Sequence, residues 1–561
     1  MLAVMRASSV GATLSRVIRR PDRPGLLAGF LAAGPALLIL VAGRLVTDRP
    51  GLVEVISDGF SRFLPLDLFE LAISTLGPLA KGLLALGIAG TILVAGALVG
   101  SVALRLTATR APLAALALIA AAALGVVELL VLPVFAAGLA GADLSSDPAA
   151  VHLPVILAAL AYAAMLVGLR ETRLPEGPAE AAPPPEAPFI RPTPAAGEMT
   201  RRGFVGRALA VVGVGAFAGS FAALASQVLD AARHADRPFP ADIPSGGFGP
   251  TPAQTPVDDF YTVNKNLGPT FVDGPSWALV VDGLVDRPQR LTLDDLRALP
   301  YQEAYRTLEC ISTDIVRGDH LIGNQRWRGV RLSDILDRAG VRPEAGWILW
   351  EADDGYTESL PVGVARHPDT LIAYEMGGAP LTAEHGFPAR VLIAGRFGMK
   401  QPKWLRRIQL ADHDEQGYWE QRAWDQQALV RTMSRIDWPR DGATVGAGEA
   451  LSAYGVAYSG DRGISRVEVS PDDGQSWVEA ELEDATFPPL GELTWLRWRA
   501  DLDIAAPGRR RLVVRATDGD GATQEGERTA ALPSGSTGWH RIEIVVVPPT
   551  SGPSPSPDPS A

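Results

Sequence analysis

Five apolar runs occupy the first 230 positions, near 25–46, 82–104, 113–139, 153–169 and 204–226. Each approaches or exceeds the roughly 20 residues a helix needs to cross a bilayer core, so this half is expected to lie in lipid. The stretch 51–80 is apolar too, but Glu54, Asp58, Arg62, Asp67 and Glu70 interrupt it at amphipathic spacing, which predicts an interfacial segment. Arginines fix the orientation. Arg6, Arg16, Arg19, Arg20 and Arg23 precede the first run, Arg105 and Arg110 separate the second from the third, and Arg170, Arg173, Arg191, Arg201 and Arg202 separate the fourth from the fifth. The loop between the third and fourth runs carries only Asp143 and Asp147. Five spans with the N-terminus inside satisfy the positive-inside rule at every loop, so everything after residue 230 is expected outside the cytoplasm.

Residues 173–203 form a Pro/Ala/Glu-rich stretch expected to be a cytoplasmic linker. It ends in "TRRGFVGRALAVVGVGAFAG", a paired arginine before a run of small apolar residues, which resembles a twin-arginine export signal placed in mid-chain. The same arginines also fit the bland role of positive-inside flanks. Glu128 interrupts the third run, and an ionisable group inside a span is either hydrogen-bonded within the bundle or functional. Of seven histidines only His152 lies near a span, so paired axial ligands for a membrane haem are not available.

A net charge of -12 argues against a nucleic-acid partner, which calls for a basic face. One cysteine in 561 residues excludes an intramolecular disulfide and a multi-thiolate zinc site. Beyond residue 230 the pattern is mixed. "WALVVDGLV" and "ARVLIAG" read as strands, "LDDLRAL" and "LSDILDRAG" as short helices, the latter with a glycine stop signal. From about residue 441 alternating strands broken by Asp-Gly and Pro-Gly turns predict a β-sandwich, and residues 550–561 should be disordered. The fold class is therefore a five-span helical membrane bundle followed by an α+β domain and an Ig-like β-sandwich.

The single cysteine, Cys310, stands in "TLECIS". Alone, such a residue is more often a small buried hydrophobe than a working thiol. Its context is more informative. "TLECIS" followed by "LIGNQRWRGVRLSDILDRAGV", then "DDGYTESLP", "LIAYEMGGAPLTAEHGFPARVLIAG", "GMKQPKWLRRIQL" and "GYWEQRAW", resembles the sulfite oxidase superfamily over residues 255 to 545.

The resemblance implies a molybdenum–molybdopterin cofactor with Cys310 as the metal's protein ligand. It further implies cofactor contacts from Tyr261, Thr262, Lys265, Asp354, His385, Arg390, Gln401, Pro402 and Lys403. An anionic pterin needs fixed cations and donors, which His385, Arg390 and the "KQPK" run are expected to supply. It divides the chain into a four-span region (1–172), the linker (173–203), the fifth span (204–230), a molybdopterin-binding oxidoreductase domain (231–435), an Ig-like dimerisation domain (436–549) and the tail (550–561).

Three departures argue against sulfite as substrate. Val263 stands where sulfite oxidases have an arginine, "ISTDIV" replaces further arginines after the cysteine, and Trp424 replaces a tyrosine near the metal. The expected protein is thus an extracytoplasmic, membrane-anchored oxidoreductase transferring oxygen atoms to or from a small-molecule substrate. It would exchange electrons with a separate cytochrome or quinone, and the C-terminal domain would allow a homodimer. A sulfoxide or N-oxide reductase of the same fold, and a non-catalytic protein keeping the fold without metal, are the alternatives.

Overall fold

The structure is a computed structural model that describes residues 23–47, 51–63, 68, 75–76, 79–108, 110–135, 148–171, 201–235 and 247–548, except 266–267, 319–320, 449 and 487. The Pro-rich stretch before Arg201, most of the loop at 141–150, most of the segment 64–78 and the tail lie outside the described residues. The chain separates into two compact units, residues 1–65 with 76–230 and residues 66–75 with 231–561.

The first unit contains helices α1 (Arg23–Thr47), α2 (Leu52–Phe63), α3 (Leu79–Leu106), α4 (Pro112–Val126), α5 (Pro148–Glu171) and α6 (Arg201–Ala235). Five helical segments are long and apolar enough to cross a membrane: Arg23–Arg44, Gly82–Leu106, Pro112–Val134, Val151–Glu171 and Gly203–Ser226. The third is not a plain α-helix, because α4 passes through a π turn at Val127–Val131 before ending at Leu132–Val134. Small residues let the helices approach. A Cβ on Gly29 of α1 would lie 2.5 Å from the Gly96 carbonyl oxygen of α3, a separation only glycine permits. Polar ends are tied off. Arg170 donates to the carbonyls of Thr107 (2.6 Å) and Arg110 (3.2 Å), satisfying backbone at the α3–α4 turn, and Arg44 pairs with Glu54 at 3.0 Å. Of the amphipathic stretch, the described part is α2, with Leu52, Val53 and Val55 buried.

In the second unit, one five-stranded sheet has the order β2-β1-β10-β5-β6 and a second has β3-β4-β7-β8 with β9 beside β7. The strands are β1 Ala278–Gly283, β2 Gln289–Thr292, β3 Gln302–Glu309, β4 Ile322–Arg331, β5 Trp347–Ala352, β6 Thr357–Pro361, β7 Leu371–Met376, β8 Ala379–Pro380, β9 Arg390–Leu392 and β10 Leu405–Ala411. Short helices accompany them, among them α7 (Leu293–Ala298) and α8 (Leu332–Ala339). Thr292 and Asp295 form a reciprocal capping box at the start of α7. The spacing of Leu332, Ile335, Leu336 and Ala339 puts them on one buried face of α8, packed with Leu279, Val281, Ile348, Trp350 and Ile408. Gly340 ends α8 in the left-handed conformation (φ 71°), its N–H bonded to the Leu336 carbonyl at 2.9 Å.

Nine further strands form the sandwich: β11 Met433–Trp438, β12 Thr444–Gly446, β13 Ala450–Tyr458, β14 Ile464–Ser470, β15 Val478–Glu479, β16 Glu481–Leu482, β17 Leu496–Asp503, β18 Gly508–Asp518 and β19 His540–Val547. Its sheets run β11-β13-β17-β16 and β12-β19-β18-β14-β15. Alternation decides the inward face: Leu496, Trp498, Ala500 and Leu502 of β17 are buried, as are Ile542, Ile544 and Val546 of β19. The sandwich also closes the β3 edge. Tyr458 donates from its hydroxyl to the Thr307 carbonyl (2.9 Å), Thr307 N–H bonds the Leu493 carbonyl (3.0 Å), and Trp495 N–H bonds Thr307 Oγ1 (2.8 Å).

Candidate functional site

Cys310 is the first residue beyond β3, where that strand ends beside β4. Its N–H bonds the Leu321 carbonyl (2.9 Å), and its own carbonyl accepts from Thr313 N–H (3.1 Å) and Thr313 Oγ1 (2.8 Å). The tight turn that follows is pinned by the sandwich, since Ser536 Oγ donates to the Thr313 carbonyl at 2.7 Å and accepts from Ile315 N–H at 3.0 Å. The thiol, 3.1 Å from Ser312 Oγ, is buried and belongs to no disulfide. A thiol fixed by this much backbone is held in one direction, as a metal ligand requires.

The crossover from β9 to β10 supplies the opposite wall. Val391 N–H bonds the Pro402 carbonyl and Leu405 N–H the Ala389 carbonyl, both at 2.9 Å. Within it, Trp404 sits at φ 52° and is held by its indole N–H on the Ala383 carbonyl at 2.8 Å. Gly398 lies against Tyr261 and the residue before the cysteine. A Cβ there would stand 3.1 Å from the Tyr261 hydroxyl and 3.4 Å from the Glu309 carbonyl oxygen. Burial pushes the Tyr261 phenol far above its ordinary value, the nearby Cys310 thiol adds to this, and Arg390 pulls the other way. Tyr261 therefore remains an O–H donor at neutral pH.

Arg390 is the cation of this pocket. It is buried, with Nη1 on the His385 carbonyl (3.2 Å), Nη2 on the Gln401 carbonyl (3.4 Å) and its guanidinium 5.3 Å from the Trp327 ring centre. Nε has no partner, and no carboxylate pairs with it among the described residues. Burial lowers its pKa to about 10, so it stays charged. Two more buried polar atoms have no partner among the described residues: Glu309 Oε2, in the residue before Cys310, and Trp424 Nε1, in the cluster that contains Ile311 and Met399. Burial raises the Glu309 carboxyl to about 8, against the pull of Arg435. A buried guanidinium with no carboxylate partner among the described residues, sharing the neighbour Tyr261 with the thiol, is a feature an anionic metallo-cofactor would complete.

The other expected contacts divide in two. His385 packs edge-on to Phe260 with ring centres 5.7 Å apart and bonds the Val257 carbonyl through Nε2 at 3.1 Å. Burial depresses its pKa to about 4, so of the cations and donors expected here it is a neutral donor. Lys403 reaches Asn264 Oδ1 and the Glu384 carbonyl, Lys265 lies 5.1 Å from the Tyr418 ring centre, and Thr262 follows Tyr261 on the same segment. Asp354 accepts from Tyr356 N–H (2.9 Å), and the Tyr356 hydroxyl donates to the Met399 carbonyl (2.6 Å), so Asp354 shapes a turn abutting the crossover.

Gln401 is held within its own loop. Its amide is engaged by backbone, accepting from Ile393 N–H (3.1 Å) and donating to the Arg396 carbonyl (2.8 Å), which makes it a brace of the crossover. Lys400, the first residue of "KQPK", is likewise engaged within the protein. It is fully buried between Glu358 (2.6 Å) and Glu420. Burial, reinforced by Glu420, holds Glu358 up at about 8 despite the ammonium, so one carboxyl keeps its proton and the cluster is near neutral.

Sequence reading passed over Gly398, Glu309 and this cluster. A glycine inside "RFGMKQP" was the one visible signal, whereas partners far apart in sequence give none.

A family model described as oxidoreductase molybdopterin binding domain matches residues 267–419, and one described as Mo-co oxidoreductase dimerisation domain matches residues 419–547. The chain is 32% identical over 317 residues to the mitochondrial sulfite oxidase of Drosophila melanogaster, covering 49% of this chain and 55% of that one. It is 31% identical to the sulfite oxidase of Gallus gallus, covering 51% of this chain and 72% of that one. To the uncharacterized oxidoreductase YuiH of Bacillus subtilis (strain 168) it is 34% identical, covering 33% of this chain and 91% of that one. The chain spans 55% to 65% of the length of the fly, rat and mouse proteins.

Proposed function

The chain belongs to the sulfite oxidase superfamily of molybdopterin oxidoreductases, and from that premise we propose that it is a membrane-anchored, extracytoplasmic enzyme. Its substrate would be a small molecule other than sulfite. The observation that carries its cofactor part is Arg390, a buried guanidinium with no carboxylate partner among the described residues, which shares the neighbour Tyr261 with the only thiol of the chain. When bound, a molybdenum–pterin group supplies two-electron oxygen-atom transfer.

The chain's own residues do the rest. Cys310 would hold the metal through its thiolate, fixed by the Thr313 and Leu321 bonds. Arg390 would neutralise an anionic group through its open Nε, and the protonated Tyr261 and the Trp424 indole would each donate a hydrogen bond. His385 and Lys403 would frame the pterin with Thr262, Lys265, Pro402 and the turn at Asp354, while Gln401 would act as a brace. Gly398 would let a planar group approach closely. The division into a pterin-binding domain at 231–435 and a dimerisation domain at 436–549, with a homodimer through the latter, belongs to the same reading. So does a separate electron carrier.

Ser312, Thr313 and Ile315 after the cysteine, with Val263 before it, offer no cation to a sulfite anion. Assays with reduced benzyl viologen and with ferricyanide test this. Turnover of a sulfoxide, N-oxide or other oxygen donor or acceptor with one carrier, and none with sulfite, is expected. Efficient sulfite oxidation with ferricyanide would overturn the substrate assignment.

A further inference from the structure

The apolar-helix unit holds an acid–base pair that the redox reading above leaves unused. Glu128 lies in the π turn of α4 and His152 near the start of α5, with Glu128 Oε1 2.8 Å from His152 Nδ1. A π turn inserts one residue into the helical repeat and re-aims the side chains around it, a distortion frequent at functional positions. Glu128 is 14% exposed and His152 24%, and Glu128 Oε2 is buried with no hydrogen-bond partner among the described residues. The other acidic groups placed beside cations in this unit are engaged differently. Glu54 uses one oxygen on Arg44 and the other on Gly51 N–H, and Arg170 is surrounded by carbonyls and Glu171.

A simple interhelical clip needs no open oxygen, and leaving one buried costs on the order of 1–3 kcal/mol. A ligand that completes it must bring a hydrogen-bond donor, such as a hydroxyl, to a site within the spans, which suits an apolar body. When Nδ1–H donates to the carboxylate, imidazole Nε2 is a second acceptor of the pair in addition to the open Oε2. Two acceptors suit the hydroxyls of a dihydroxy ring. Around them Leu129, Leu130 and Leu153 are exposed at 66%, 58% and 55%, an apolar surface for a lipid tail.

We propose that Glu128 and His152 form the headgroup site of a membrane quinol, between α4 and α5. This rests on the reading of the chain as a membrane oxidoreductase, for which a quinone pool is one class of electron partner. The test uses full-length protein in lipid nanodiscs, with retention of decylubiquinol under anaerobic conditions measured against empty nanodiscs. Wild type is expected to retain the quinol saturably, and Glu128→Gln and His152→Ala to weaken retention about tenfold or more. Tyr162→Phe, which removes a hydrogen bond to the Gly96 carbonyl elsewhere in the bundle, is expected to leave retention unchanged and serves as the control for packing. No retention above empty nanodiscs, or wild-type retention in both variants, overturns the site. Molybdenum content of the same preparations keeps the two readings apart: loaded protein that ignores the quinol sinks this site alone, and quinol binding by metal-free protein supports it while sinking the catalytic reading.

Discussion

Arg390 opens β9 at the start of one crossover and Lys400 lies within it; both bury a positive charge, yet their surroundings are opposite. Lys400 has two carboxyls and the Ser359 carbonyl within reach. Arg390 has two carbonyls at long range, an aromatic face and an open Nε. A buried ammonium with matched partners is a structural rivet, whereas a buried guanidinium without a counter-ion raises the energy of the empty fold until an anion arrives. The difference separates what holds the site from what the site holds.

Substitution should expose it. Arg390→Leu removes a cation the empty fold does not need, so molybdenum loading should fall more than about tenfold. Thermal stability of the cofactor-free protein should hold or rise. A large loss of cofactor-free stability would mean that Arg390 is a rivet too. Lys400→Met should behave in reverse, leaving two buried carboxyls and destabilising the domain by about 3–5 kcal/mol. Denaturant unfolding of the cofactor-free protein measures it, and adding Glu358→Gln and Glu420→Gln should recover much of the loss.

A third change concerns His540 at the sandwich face. Its Nδ1 accepts from Ile436 N–H at 3.0 Å, and burial, with nearby Arg435 adding to it, depresses its pKa from 6.5 to about 4. Above pH 6.5 neither state is protonated and the contribution to stability is fully present. As pH falls from 6.5 to about 4 the unfolded chain takes up the proton first, and about 3 kcal/mol of stability is lost. A His540→Asn protein should show a shallower acid slope in unfolding experiments, and an unchanged slope contradicts the assignment. The smallest effect belongs to Gly398→Ala. A methyl 3.1 Å from the Tyr261 hydroxyl should cost about 1 kcal/mol or less in stability yet reduce cofactor loading severalfold, read by metal analysis against unfolding midpoint.

Much of the scaffold was legible in the sequence because it follows from periodicity. Five apolar runs became five helices, the spacing in "LSDILDRAG" became the buried face of α8 with its glycine stop, and alternation in "LTWLRWRADLD" became β17. The approach of Cys310, Tyr261 and Arg390 was legible only through resemblance, since no local pattern joins residues from β3, an N-terminal loop and β9. What could not be read was the balance of charge. Nothing in "KQPK" says that Lys400 turns toward Glu358 and Glu420 while Gln401 braces its own loop. Nothing in "EHGFPAR" says that burial keeps His385 neutral. The pairing of Glu128, in the π turn, with His152 likewise has no local pattern in the sequence.

The central claim is that the pocket of Cys310 and Arg390 holds a molybdenum–pterin group. Its most direct test is the molybdenum and pterin content per chain of full-length protein purified from a cofactor-competent host, beside Cys310→Ser and Arg390→Leu. Near one equivalent of each in wild type, with metal lost in Cys310→Ser and pterin depleted in Arg390→Leu, is the predicted result. Wild-type protein free of both, or a Cys310→Ser protein that keeps its metal and activity, would contradict it.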